Sequence, residues 1–296
     1  MIHYLCTRKH LYTLGQYLRA WAPDLRQRFQ LIPYESLPGA FPPPRPGVYV
    51  FADLERLRPR GMALATSFRH TLDALGEHAR ILNDPQVVLR RYELLRALYD
   101  SWINSFDAYR IHEARRPRSW PVLLRREFDH SGPIEDLVPS GAAYDDALAR
   151  LRVNRQTEGV IAVEFRDTAD ERKVYRKYGA FLFGNRLVPR HVLFSRRWCV
   201  KDTDLLEPEH IAEELLYLET FPRAEEVRRI FAIARVDYGR IDYAFYGDRM
   251  QVWEINTNPF LVYAKSAEPG AARREANERF AAQAREAFLA LDAPFS

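Results

Sequence analysis

The sequence predicts an α/β (α+β) chain, and three observations predict it. Apolar runs of strand length alternate with stretches whose apolar residues recur every three or four positions. Glycine-led turns, Gly184-Asn185 and Gly247-Asp248, separate pairs of strand-like segments. No internal repeat, and no low-complexity tract beyond one Pro-rich loop, interrupts the mixture. The 296 residues suffice for two or three packed subdomains, and the 47% hydrophobic and 13% aromatic content marks a globular chain.

Each element can be justified in order. Ile2 to Cys6 reads as a buried strand, and Leu11 to Trp21 as a helix with Leu11, Leu14, Tyr17 and Leu18 on one face. Phe29 to Ile32 and Val48 to Phe51 are strands separated by the Pro-rich loop Phe41 to Gly47, and Asp53 stands where it could cap the next element. A helix from about Phe68 to Gly76 completes a βαβ-type unit and hence a parallel sheet. Ile81-Leu82 runs into the turn Asn83-Asp84-Pro85, and a helix is expected from Gln86 to about Tyr99. Arg110 to His112 and Pro121 to Arg125 read as two strands around a basic turn, followed by the polar loop Phe128 to Pro133. Tyr144 to Arg152 is helical, Val160 to Phe165 a strand, and Tyr175 to Phe183 pairs with Leu187 to Phe194 like a hairpin. A helical region from Pro208 to Ala234 precedes strands at Ile241 to Tyr246 and Gln251 to Ile255. A charged helix over about Ala271 to Leu291 closes the chain.

Composition narrows the function classes. The apolar runs fall short of the ~20 residues that cross a bilayer, so no membrane association is expected. Met1 to Cys6 lacks a basic n-region, a long apolar stretch and a cleavage site, and does not read as a signal peptide. Cys6 and Cys199, far apart in sequence, fit a reduced cytoplasmic protein. Nucleic acid would demand a basic stripe with aromatic platforms. Arg115-Arg116-Pro117-Arg118 reads instead as a solvated turn, and no nucleic-acid partner is expected. Of the 44 basic residues five are Lys, so anion-binding positions can carry Arg where a relative carries Lys.

One segment carries chemistry. Gly239 to Phe245 and Val252 to Pro259 read as adjacent strands of one hairpin, and side chains alternate faces with period two. Arg240 and Asp242 then share a face, as do Glu254 and Asn256, while Ile241, Tyr243 and Ile255 point into a core. If the register pairs them, a cation, two carboxylates and an amide oxygen converge. Mg²⁺ takes such hard oxygens and completes its shell with phosphate and water. A solvent-facing salt bridge would explain any one of these residues, but not the aligned set ahead of the turn Asn256-Thr257-Asn258-Pro259.

Gly-Arg-Ile-Asp at 239–242 followed by Trp-Glu-Ile-Asn-Thr-Asn-Pro at 253–259 resembles the C-terminal signature of the ATP-grasp superfamily of carboxylate–amine ligases. The resemblance implies an ATP-grasp fold behind an N-terminal βαβ-type pre-ATP-grasp subdomain at 1–82. The ATP-grasp domain would span 83–296, with a small hinge lobe at about 110–165 and a metal and phosphate lobe at about 166–296. It implies ATP and Mg²⁺ as cofactors, with Asp242, Glu254 and Asn256 as metal ligands and Arg240 stabilising the phosphate or tetrahedral oxyanion. Arg91, Arg125, Lys177 and Lys201 would be phosphate cations, and Glu164 and Phe165 would lie on the hinge strand that meets adenine. His130, in the loop before Gly132, either closes over phosphates or caps a turn, and the turn is the favoured reading. The implied reaction is ADP-forming ligation of a carboxylate to an amine or thiol through an acyl phosphate. The alternatives are a regulatory or degenerate Mg-ATP-binding module and a phosphotransferase. The implied partners are small-molecule or peptide carboxylate and amine substrates, and a homodimer, which is common among relatives. Two features depart from the pattern. The loop Asp129-His130-Ser131-Gly132 has a single glycine, and Phe260-Leu261-Val262-Tyr263 forms a bulky wall where peptide-ligase relatives often place glycine.

Overall fold

The computed structural model describes residues 1–37, 43–262 and 271–293. Among these, three sheets order the chain. The first holds β1 (Ile2–Cys6), β2 (Phe29–Pro33), β3 (Gly47–Phe51) and β4 (Ala79–Leu82), all parallel, in the order β2-β1-β3-β4. Central β1 and β3 are buried at every residue, as continuous apolar runs in a parallel sheet must be. α1 (Tyr12–Ala20) lies where the apolar period places it. α2 (Pro59–Thr71) starts well before the expected Phe68, because Pro59 opens it at a first-turn position where the missing N–H costs nothing. Of the Pro-rich loop, Phe41 and Pro42 lie outside the described residues.

Asp84 organises a turn rather than a helix start: its carbonyl accepts from Val87 and Val88 N–H, both at 3.1 Å. α3 (Arg91–Asp100) begins only after it. The second sheet contains β5 (Ala108–Arg110), β6 (Val122–Arg126) and β7 (Val160–Glu164) in the order β5-β7-β6. The two strands expected around a basic turn are therefore not partners. β7 lies between them, antiparallel to both, because its unbroken Val-Ile-Ala-Val run can be buried on both faces. α4 (Gly141–Val153) covers this sheet, and its Ser140 cap accepts from Ala143 N–H at 3.3 Å.

The third sheet, β8 (Tyr175–Phe183), β9 (Arg186–Ser195), β10 (Tyr238–Tyr246) and β11 (Arg249–Asn256), is antiparallel in the order β11-β10-β8-β9. The helical region on one face breaks into α5 (Pro208–Thr220) and α6 (Ala224–Ala234), because Pro222 follows Phe221, which turns left-handed at φ 39°. α7 (Ala271–Leu291) crosses from this sheet to the first. Its Phe288 ring lies 5.0 Å from Phe183 and 5.1 Å from Phe29, sealing one core across the N-terminal sheet and β8. Each ring so buried contributes about 1.5–3 kcal/mol, enough to fix the two sheets against each other. Among the described residues no helix is long and apolar enough to cross a membrane. Both cysteines are free thiols.

Candidate functional site

The hairpin β10–β11 pairs Arg240 with Asn256 and Asp242 with Glu254. Asp242 continues the row onto β8, opposite Gly179. Alternation sends Ile241, Tyr243 and Ile255 into the core beneath α5 and α6, so the polar set faces the other way. There a cleft opens between the second and third sheets, walled by Asp242, Glu254, Arg125, Lys177, Phe165 and Lys201 among others.

Cations compensate both carboxylates. Arg240 grips Asp242 as a fork, Nε to Oδ1 at 2.7 Å and Nη2 to Oδ2 at 3.1 Å, with Lys177 Nζ 3.6 Å from Oδ2. Glu254 Oε2 accepts from Arg91 Nη2 at 2.7 Å and Arg125 Nη2 at 3.2 Å, and His130 Nδ1 lies 3.3 Å from Oε1. Burial opposes ionisation of Glu254, but His130, Arg91 and Arg125 outweigh it and hold the carboxyl well below its usual range. Burial and the neighbouring Arg91 push Arg125 down to about 10, against the pull of Glu254. Asn256 Oδ1 accepts from Asn258 N–H at 2.9 Å, fixing the turn after β11.

One expected site residue, Glu164, is placed elsewhere, and Arg91 approaches Glu254 from behind the cleft. Glu164 turns into the small lobe, where its carboxylate accepts from the N–H groups of Asp107, Arg118 and Ser119 and from the Tyr109 hydroxyl. Arg91 is buried and reaches the back of the 127–130 loop. Its Nη1 donates to the carbonyls of Arg126 and Glu127, at 3.0 and 3.1 Å, and of Asp129. Lys201, at the cleft mouth, donates to Ser131 O at 3.2 Å. The Phe165 ring meets Trp198 edge-on at 5.6 Å, and its N–H is already given to Pro121 O at 2.9 Å. Phe260 packs near Tyr12, and Leu261 and Val262 turn into the core, so these two residues of the bulky wall are interior. Tyr263 lies outside the described residues.

Sequence reasoning missed Glu55 and His191. Glu55, buried in the 3-10 turn Leu54–Arg56, faces His130 and holds Thr257; no spacing signals it. His130 itself does more than cap a turn, since it touches both Glu254 and Glu55. His191 on β9 sits opposite Gly179, and burial with Arg240, Arg190, Lys177 and Arg273 around it pushes its imidazole far below the ordinary range.

The sequence matches no family model and no curated protein. The architecture does have counterparts among solved structures. It is similar to a RimK domain ATP-grasp protein from Sphaerobacter thermophilus, with TM-score 0.53 and 16% identity over 94% of this chain and 98% of that one. A D-cycloserine synthetase gives TM-score 0.53 and 13% identity, over 94% and 98% of the two chains. The chain has the ATP-grasp fold. D-alanine–D-alanine ligase from Bacillus anthracis, crystallised with ATP, shares this ATP-grasp fold at TM-score 0.50 and 10% identity, over 96% and 98%.

Proposed function

We propose that the chain is an ATP-dependent carboxylate–amine ligase that forms ADP through an acyl phosphate. Residues 1–82 would form its pre-ATP-grasp unit and 83–296 its ATP-grasp domain. The observation that carries the reading is the pairing of Asp242 with Glu254 across the hairpin at one end of an aromatic-walled, cationic cleft. The donor set fits Mg²⁺. Two carboxylates and an amide oxygen stand in register, and no group of three or more His, Cys, Asp or Glu side chains arranged to hold a metal ion by itself occurs among the described residues. A hard cation that shares its shell with phosphate and water needs no larger protein cage. When bound, Mg²⁺ would neutralise phosphate charge as the γ-phosphoryl group moves.

The chain's own residues would do the rest. Phe165, Trp198 and Trp253 offer flat apolar walls for a base. Lys177, Lys201 and Arg125 supply positive charge along the same cleft, where phosphates would lie. Arg240 would balance charge on the transferred phosphoryl group and on the tetrahedral centre formed by the amine. Phosphoryl transfer asks mainly for positioning and electrostatics, so the site needs no Ser-His or Cys-His pair. Two free thiols fit a reducing cytoplasm.

Hydroxylamine tests the reading. With ATP, Mg²⁺ and a panel of carboxylic and amino acids, at least one acid should yield a hydroxamate together with ADP. ADP accompanied by a phosphorylated, hydroxylamine-inert product would mean a phosphotransferase. A second reading, a Mg-ATP-binding module without turnover, is favoured by one observation. Arg91 and Lys201 are both engaged with carbonyls of the 126–131 backbone. Stabilisation by Mg-ATP with no turnover of any acid would support it.

A further inference from the structure

Glu254 on β11 and Glu55 in the turn after β3 belong to different sheets, yet they share one imidazole. His130 stands between them, with Nδ1 3.3 Å from Glu254 Oε1 and Nε2 3.2 Å from Glu55 Oε1. The second oxygen of Glu55 accepts from the Thr257 N–H at 3.2 Å and from the Thr257 hydroxyl. Thr257 follows β11 directly. The contacts therefore close a ring: Glu254, His130, Glu55, Thr257, and back along β11. The ring ties the hairpin, the N-terminal unit and the 128–133 loop together. Arg91 grips the same loop from behind and also holds Glu254.

We propose that Glu55 and His130 are positioning residues that hold Glu254 and the loop in place, and that His130 yields Glu254 when a divalent cation binds with the nucleotide. The proposal rests on the Mg-nucleotide reading of the cleft. Its logic is competition for one carboxylate. Arg91 is buried and bound to three carbonyls besides Glu254, so leaving would strand several groups. His130 has a second carboxylate waiting, since Glu55 keeps its Nε2 paired. Of these two, His130 is the partner that can let go at less cost. Removing its ring takes away a competitor for the cation and also releases the loop. The two effects have opposite signs: the cation binds more tightly while turnover falls. A histidine that merely supported the fold would weaken both.

The test uses the full chain saturated with a nonhydrolysable ATP analogue. Mg²⁺ is titrated while tryptophan fluorescence is followed, since Trp253 adjoins Glu254 and Trp198 walls the cleft. For His130→Gln the Mg²⁺ half-saturation should drop roughly three- to tenfold, the equivalent of about 1 kcal/mol. Turnover of ATP with the acid that gives hydroxamate should fall about tenfold or more. Glu55→Gln should lose as much turnover, and the double variant should lose no more than either single one. Parallel weakening of Mg²⁺ binding and turnover, additive losses, or no change in either would overturn the proposal. If His130→Gln melts early, Glu55→Gln, which keeps an oxygen for Thr257, carries the same comparison. Absence of any Mg²⁺-dependent signal in the unaltered chain would instead sink the Mg-nucleotide reading, and this proposal with it.

Discussion

Glu254 and Glu164 are both drawn from water on strands of the ATP-grasp fold, and they are compensated in different ways. Glu164 is wrapped by fixed donors, the N–H groups of Asp107 at 3.1 Å, Arg118 at 2.9 Å and Ser119 at 3.0 Å, with the Tyr109 hydroxyl at 3.1 Å. Among the described residues Glu254 meets only side chains, those of Arg91, Arg125 and His130. Backbone donors cannot leave without undoing the loop that carries them, whereas side chains can swing on their own torsions. A carboxylate satisfied by the main chain is committed to structure. One satisfied by side-chain cations can exchange partners, which is what a metal or phosphate site requires.

The contrast breaks most sharply at Glu254. Glu254→Gln should cut ATP turnover by about 10²–10³, as loss of one preorganised electrostatic group does, with a proportionally smaller effect on stability. Steady-state ADP release, read beside urea denaturation, checks both halves. Glu164→Gln should do the reverse. An amide NH₂ turned toward backbone donors leaves a buried group unsatisfied, which costs about 1–3 kcal/mol. Its nucleotide-analogue affinity should stay close to that of the unaltered chain. Equal losses of stability in the two variants would erase the distinction.

Much of this division is legible in the sequence, and the reason for the rest is reach. Period-two alternation is local, so it alone assigns Arg240, Asp242, Glu254 and Asn256 to one face, and the observed register pairs them. The direction of Glu164 is set by the 107–119 segment, which no pattern within β7 reports. Nothing near Arg91 in sequence shows that its partners are Glu254 and the carbonyls of Arg126, Glu127 and Asp129. Glu55 sits in a 3-10 turn with no period at all. The central place of β7 is readable, since an unbroken apolar run favours the middle of a sheet. Pro59 likewise announces the true start of α2.

Asp53 combines the two kinds of partner and sharpens the comparison through pH. Burial opposes its charge, yet His10, Arg56 and Thr7 together pull its carboxyl down to about 2. Because the folded value lies below the unfolded value of about 3.9, the contribution is complete above roughly pH 5 and is lost as pH falls toward 2. Its size is on the order of 2 kcal/mol. Unfolding free energies measured from pH 6 downward should therefore show an acid slope that Asp53→Asn flattens. A slope unchanged in that variant would assign the acid loss to other carboxylates.

The smallest effect is expected where the same two parts of the molecule meet in water. Arg58 and Glu158 pair at 2.7 Å between the N-terminal unit and the segment before β7, with side chains 69% and 68% exposed. The Glu55–His130 contact joins the N-terminal unit to the same lobe at longer distances, but with side chains only 4% and 18% exposed. If proximity set the energy, the surface pair would dominate. Exposed pairs are screened and must order two long side chains, so Arg58→Ala should change stability by no more than about 0.5 kcal/mol, and less as salt is raised. Thermal melts at low and high salt decide between the two views. A salt-insensitive loss comparable with that of Glu55→Gln would mean that contact distance, rather than exclusion of water, governs how these units are held together.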